Sequence, residues 1–126
     1  MPIQDIHFEQ GVFFAREIGK IARADAEVWT DALRRCAASS PTPVVILIDA
    51  REMTIIAPDA SKVFSKAAEV PNVRVAAIAT SKPLATVMSR TVAMMSRVGQ
   101  THETHIFNTM EEAERFAWAH VSAAQR

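Results

Sequence analysis

The most regular pattern in the sequence is a run of five apolar residues, 44–48, that ends at Asp49. A strand that is apolar at every position is typical of the centre of a parallel sheet, because helices cover both of its faces. A second apolar run, Val73–Thr80, follows a segment of helical periodicity that begins at Pro58. Two buried strands joined by a helix predict a right-handed β-α-β unit.

Weaker patterns predict the remaining elements. Residues 3–9 and 12–18 predict a β-hairpin that turns at Gly11. Helical spacing of apolar residues predicts further helices over residues 22–36, over residues 83–98 and after residue 109, and a short strand over residues 104–107. The order β-β-α-β-α-β-α-β-α predicts a single-domain α/β fold, with a mixed, mostly parallel five-stranded sheet, an N-terminal antiparallel hairpin and about four helices.

Four short motifs accompany this order of elements. They are Gly19-Lys20-Ile21 before Asp25, Asp49-x-Arg51 after the apolar strand, Pro58-x-Ala60 at a helix start, and Phe107-Asn108-Thr109 before Glu111-Glu112-Ala113 and Trp118. In these motifs and their spacing the chain resembles the STAS-like superfamily, in its SpoIIAA-like branch, which is related in fold to the lipid-carrying CRAL-TRIO domain. The resemblance covers nearly the whole chain. It implies one STAS-like domain over residues 1–126 that is a regulatory or binding module and not an enzyme.

One position departs from the pattern of this superfamily. Members that act as anti-sigma-factor antagonists carry a phosphorylatable Ser or Thr at the helix start after a buried strand. Here Ala57 stands at that position, and Thr54 is the only hydroxyl nearby. We therefore predict that this helix start carries no phosphorylation switch.

The charge and composition of the chain exclude several classes of protein. Lys+Arg and Asp+Glu both number 14, and a net charge of zero argues against a nucleic-acid-binding protein while it lowers the electrostatic barrier to self-association. The single cysteine, Cys36, excludes an internal disulfide and is typical of a reducing compartment. The sequence has no secretory signal and no apolar stretch of about 20 residues, so we expect a cytoplasmic protein without a membrane span.

Polar residues follow both apolar strands at the sheet edge where open α/β sheets bind their ligands. The candidates for a ligand or anion site are Asp49, Arg51, Thr80, Ser81 and Lys82. Two predicted helix N-termini at the same edge would add free N–H groups for an anion. The alternative is that Asp49 and Arg51 bridge loops and that Ser81 caps a helix.

Two helices offer candidate interface residues. In the Met-rich segment, residues 83–98, the apolar arc is wider than a core stripe, and Val87 and Met94 at its edge adjoin Arg90. Trp118 lies off the apolar stripe of the last helix. Met and Trp suit adaptable contact surfaces, so these residues could form a homodimer interface, cover an apolar pocket or meet anionic lipid. The alternative is that the Met-rich helix uses its apolar arc in the core and that Trp118 folds over the sheet edge or the N-terminal hairpin.

The sequence contains no recognisable catalytic or metal-binding motif. On a strand His102 and His105 would face opposite ways, and Cys36 has no candidate base to activate it. We therefore expect no catalytic residues, no metal and no cofactor. Two functions remain open: a protein-binding regulatory module that forms a homodimer, or a carrier of a small apolar or anionic ligand held between the sheet and the Met-rich segment.

Overall fold

The computed structural model describes residues 3–67, 69–81 and 103–124. Five strands form one sheet in the order β1-β2-β3-β4-β5. The strands are β1 Ile3–Glu9, β2 Val12–Ile21, β3 Val44–Ile56, β4 Val73–Thr80 and β5 Glu103–Phe107. Strand β1 is antiparallel to β2, and all other neighbours are parallel. The predicted α/β fold, with its mixed and mostly parallel sheet, is therefore confirmed.

The described residues form three helices: α1 Arg23–Ser39, α2 Pro58–Ala67 and α3 Met110–Ala124. Each begins at a local signal in the sequence. The backbone N–H of Ala22 donates to Asp25 Oδ2 at the start of α1, over 2.9 Å. Two capping boxes are consistent with the sequence before α3, Asn108 with Glu111 or Thr109 with Glu112. Thr109 caps the helix: the backbone N–H of Glu112 donates to its Oγ1 over 3.2 Å, and its hydroxyl donates to Glu112 Oε1 over 2.9 Å. The helix predicted over residues 83–98 lies outside the described residues.

The hairpin between β1 and β2 turns at two residues. Gln10 and Gly11 have φ angles of 51° and 87°, and Glu9 pairs directly with Val12. Two successive positive φ angles define a type I′ turn, whose twist matches that of the flanking strands. Glycine adopts such an angle without strain, which explains why Gly11 alone marked the turn in the sequence.

Strand β3 is longer than the apolar run that predicts it. It continues past Asp49 to Ile56 because β2 also continues, to Ile21, and the two strands stay paired to their ends. In the extension the buried Met53 lies between two pairs of exposed residues, a pattern that a search for continuous apolar residues does not detect. The register between the two strands shifts after Arg16, where β3 carries an extra residue.

Two apolar clusters pack on opposite faces of the sheet, and alternate residues of β3 belong to each. Val44, Ile46, Ile48 and Ala50 lie in the cluster that includes residues of α1 and α2, here called the α1–α2 face. Val45 and Leu47 lie in the cluster covered by Ala113, Ala117 and Val121 of α3, here called the α3 face. A strand buried on both faces is what the apolar run 44–48 predicted.

Candidate functional site

Asp49 and Arg51 form a two-point ion pair at the start of the β3 extension. The Arg51 guanidinium donates from Nε to Asp49 Oδ1 over 2.9 Å and from Nη2 to Oδ2 over 2.8 Å. The backbone N–H of Arg51 also donates to Oδ1, over 3.2 Å. Asp49 is only 5% exposed, whereas half of the Arg51 side chain is exposed. The fork of the guanidinium thus fixes a buried carboxylate in one orientation.

The ion pair continues across two more strands. Arg16 lies opposite Asp49 in the register of β2 and β3, with its Nε 3.4 Å from Asp49 Oδ2. Its Nη1 lies 3.3 Å from Oδ2 of Asp5 on β1. Asp5 has a φ of 53° and lies at a β-bulge between the paired residues Gln4 and His7. We call the four residues Asp5, Arg16, Asp49 and Arg51 the charge ladder.

The ladder balances its own charges. Hydrogen bonds from Arg51 hold the pKa of Asp49 below its usual value, against the opposing effect of burial, and the charge of Arg16 adds to this. Asp49 raises the pKa of Arg51 in return, and the charges of Glu52 and Glu114 act in the same direction. With two carboxylates for two guanidinium groups, the ladder resembles a structural network more than an anion site. This geometry favours the bridging alternative for Asp49 and Arg51.

The other residues predicted for the ligand site at the ends of the apolar strands do not join the charge ladder. Asp49 is aligned with Ala79, which belongs to the α3 face, whereas Ala50 is aligned with Thr80 and belongs to the α1–α2 face. Side chains alternate along a strand, so Asp49 and Thr80 lie on opposite faces of the sheet. Thr80 is fully buried and Ser81 is half-buried. Lys82 lies outside the described residues.

Glu17 of β2 is a residue that the sequence reasoning missed. It is 3% exposed and pairs with Ile3 of β1. Burial raises the pKa of its carboxyl to about 7. The signal was present in the sequence, because position 17 continues the series of inward positions begun by Phe13 and Ala15.

Trp118 is the interface candidate that lies within the described residues. It is 42% exposed on α3 and lies one helical turn after Glu114, whose charge acts on Arg51 of the charge ladder. Its exposure agrees with its predicted place off the buried stripe. Val87, Arg90 and Met94 lie outside the described residues.

Among the described residues, the histidines and the cysteine form no evident reactive site. The rings of His105 and His120 flank Phe116, with centroids 4.6 Å and 4.2 Å away. Cys36 is a free, half-buried thiol whose pKa is raised by burial. In the part of the chain that the structure describes, no three His, Cys, Asp or Glu residues are grouped to hold a metal. No helix in that part has the length and hydrophobicity to cross a bilayer.

Comparison with solved structures identifies the architecture that carries these residues. An uncharacterized protein of the DUF3478 family from Shewanella loihica PV-4, which has a SpoIIAA-like fold, superposes on the chain with a TM-score of 0.66. The chain has a SpoIIAA-like fold. The two proteins are 21% identical, and the match covers 91% of each. No protein-family model matches the sequence, and neither does any curated protein. The similarity therefore concerns the SpoIIAA-like fold, as the resemblance of the sequence predicted.

Proposed function

We propose that this protein is a non-catalytic regulatory module of the STAS-like type that works by binding protein, and that it binds a second copy of itself through the α3 face. The observation that carries this proposal is the exposure of Trp118 on α3, one helical turn after Glu114, whose charge acts on Arg51 of the charge ladder. An indole ring combines a large apolar area with one hydrogen-bond donor, and Trp is enriched at the centres of protein interfaces.

The sheet beside Trp118 supports this choice of surface. Helix α3 packs mainly on β3 and β4, and among the described residues the side of this face toward β1 is more exposed than its centre. That part carries the exposed His7 and the half-buried Phe14, whose rings lie 5.0 Å apart. Aromatic side chains next to a wetter, charged margin are typical of interfaces between proteins.

The alternating signs of the ladder suit a symmetric partner. In a two-fold dimer each residue of one copy meets the same surface on the other copy. The order Asp5, Arg16, Asp49, Arg51 reads minus, plus, minus, plus, and a second ladder that runs in the opposite direction would place each charge against its opposite. The zero net charge of the chain adds no repulsion between copies.

Sedimentation velocity at tens of micromolar tests the proposal with three proteins. We expect the wild type to sediment as a dimer and Trp118→Glu as a monomer, because the substitution places a charge in each half of a two-fold interface. Val28→Glu is the matched control, since Val28 is an apolar residue of α1 that is 54% exposed. It should remain dimeric.

Two outcomes would contradict the proposal. One is a wild type that is monomeric at high micromolar concentration. The other is a Val28→Glu variant that dissociates as readily as Trp118→Glu, which would mean that the association does not use the α3 face. Thermal unfolding of all three proteins shows whether each is folded before its mass is compared.

A further inference from the structure

Four aromatic rings gather where α3 packs beside β5. The ring of Phe116 on α3 is central: its centroid lies 4.6 Å from that of His105 and 5.2 Å from that of Phe107, both on β5, and 4.2 Å from that of His120 on α3. All four side chains are half-buried, so the group, here called the aromatic cluster, is open to solvent in part. Aromatic rings that remain at a surface are typical of interaction sites.

Hydrogen bonds hold both histidine rings of the aromatic cluster in place. His120 Nδ1 lies 3.0 Å from the carbonyl oxygen of Phe116, and His105 Nε2 lies 3.1 Å from Oε2 of Glu103. Both oxygens are acceptors, so each ring donates one N–H to its partner. A group that stacks on the cluster therefore meets rings that are already ordered, which lowers the entropy cost of binding.

Two carboxylates border the aromatic cluster, and among the described residues neither forms an ion pair with a lysine or an arginine. The side chain of Glu103 is 83% exposed. Glu112 is also exposed and lies one helical turn before Phe116. Its neighbour Glu111, in contrast, is paired with Arg115 over 3.0 Å. The negative charge beside the cluster is thus available to a partner.

Rings and carboxylates together define the group that this surface can bind. An anion would be repelled by the carboxylates, and an apolar side chain would leave them desolvated without a partner. A guanidinium group is planar, stacks on aromatic faces and donates paired hydrogen bonds to a carboxylate. The ammonium group of lysine is more strongly hydrated and lacks the planar shape, so the surface favours arginine over lysine.

We propose that the aromatic cluster, with Glu103 and Glu112, binds an arginine side chain in an exposed basic segment of a partner protein. Phe116 and Trp118 are two residues apart on a helix, which places them about 200° apart around its axis. The arginine contact therefore lies on the opposite side of α3 from the proposed homodimer contact, and neither depends on the other. It gives the module a second partner, recognised by its positive charge.

Fluorescence anisotropy with labelled peptides tests this surface at pH 8, where an ordinary imidazole is neutral. The probe is a short peptide of alternating glycine and arginine, and the reference has lysine at each arginine position. We expect saturable binding of the arginine peptide and about fivefold weaker binding of the lysine peptide. Equal affinities would show that charge alone attracts the peptides and would overturn the proposal, as would the absence of saturable binding.

Two adjacent glutamates of α3 provide a matched pair of variants. Glu112→Gln removes the carboxylate beside the aromatic cluster and should weaken binding of the arginine peptide about fivefold. Glu111→Gln removes the same charge one position away, where the carboxylate pairs with Arg115, and should leave the affinity nearly unchanged. Both side chains are exposed, so both variants should fold. Equal losses would mean that the peptide responds to net charge and would refute the site.

Two phenylalanines test the aromatic part of the surface. Phe116→Leu keeps an apolar side chain but removes the central ring, and should weaken binding of the arginine peptide about fivefold. Phe64→Leu is the control on the α1–α2 face, where Phe64 is also half-buried, and should bind as the wild type does. Full affinity in Phe116→Leu would exclude the aromatic cluster. Sedimentation of Phe116→Leu should match that of the wild type, since dissociation would show that a second copy occupies this surface instead.

Discussion

Arg16 and Asp49 face each other across β2 and β3, with Arg16 Nε 3.4 Å from Asp49 Oδ2. Asp49 is also held by Arg51, so a single buried carboxylate has two guanidinium partners from different strand positions. The buried member of such a group determines its energetics, because an uncompensated buried charge costs several kcal/mol whereas an exposed arginine costs little. Each arginine can therefore compensate in part for the loss of the other.

This redundancy predicts a strongly non-additive pair of substitutions. Arg16→Ala and Arg51→Ala should each lower the free energy of unfolding by about 1 kcal/mol, and the double variant by about 3 kcal/mol or more, because Asp49 then stays buried without a cation. Urea unfolding of the four proteins measures the coupling. In an Asp49→Asn background the two arginine substitutions should become nearly additive. Additive costs in the wild-type background would show that the ladder does not act as a unit.

Glu17 predicts an unusual dependence of stability on pH. Its pKa is about 7 in the folded protein, against an ordinary value of 4.5. Between these two values the unfolded chain ionises Glu17 while the folded chain keeps the proton. The contribution of Glu17 to stability is therefore highest below pH 4.5, falls as the pH rises to about 7 and is then constant, with a total loss of about 3 kcal/mol.

Chemical denaturation of Glu17→Gln at pH 5 and pH 8 tests this dependence. The variant should be more stable than the wild type at pH 8, by about 1–3 kcal/mol, and should lose that advantage at pH 5. Glu9→Gln provides the control on an exposed side chain and should follow the wild type at both pH values. If the difference between Glu17→Gln and the wild type is the same at pH 5 and pH 8, the carboxyl does not carry a raised pKa.

Two isoleucines of β3 should differ strongly in how much an aspartate substitution lowers the stability of the protein. Ile46 is 1% exposed on the α1–α2 face, and Ile46→Asp should lower the free energy of unfolding by about 3 kcal/mol or more because it buries an unpaired charge. Ile55 lies in the same strand and is half exposed, so Ile55→Asp should cost less than about 1 kcal/mol. Comparable losses in thermal unfolding would mean that residues 44–48 are not the centre of the sheet.

The sequence predicts well those strands of the sheet that are buried on both faces. Residues 44–48 and Val73–Thr80 are apolar at nearly every position, so their place in the sheet does not depend on register. The extension of β3 to Ile56 has no such signal, because its burial depends on the length of β2, which is distant in sequence.

The candidate site was predictable only in part, because its geometry depends on register. The order of elements placed Asp49 and Thr80 at the same ends of neighbouring strands. In the sheet, however, Thr80 is aligned with Ala50 and not with Asp49, so Asp49 and Thr80 lie on opposite faces. The contact between Arg16 and Asp49 joins residues that are far apart in the chain, and no local pattern indicates it. Glu17 continues an inward series, but periodicity alone does not identify a buried carboxylate.

The bulge at Asp5 has a consequence for how two copies can meet. Among the described residues β1 is an edge strand of the sheet, the kind of strand to which another chain can add. The positive φ of Asp5 interrupts that edge, and the charged side chains of Asp5 and Glu9 flank it. These features oppose a continuous ten-stranded sheet through the two copies. In the proposed homodimer the two copies would instead meet through side chains of the α3 face, with no backbone hydrogen bonds between their sheets.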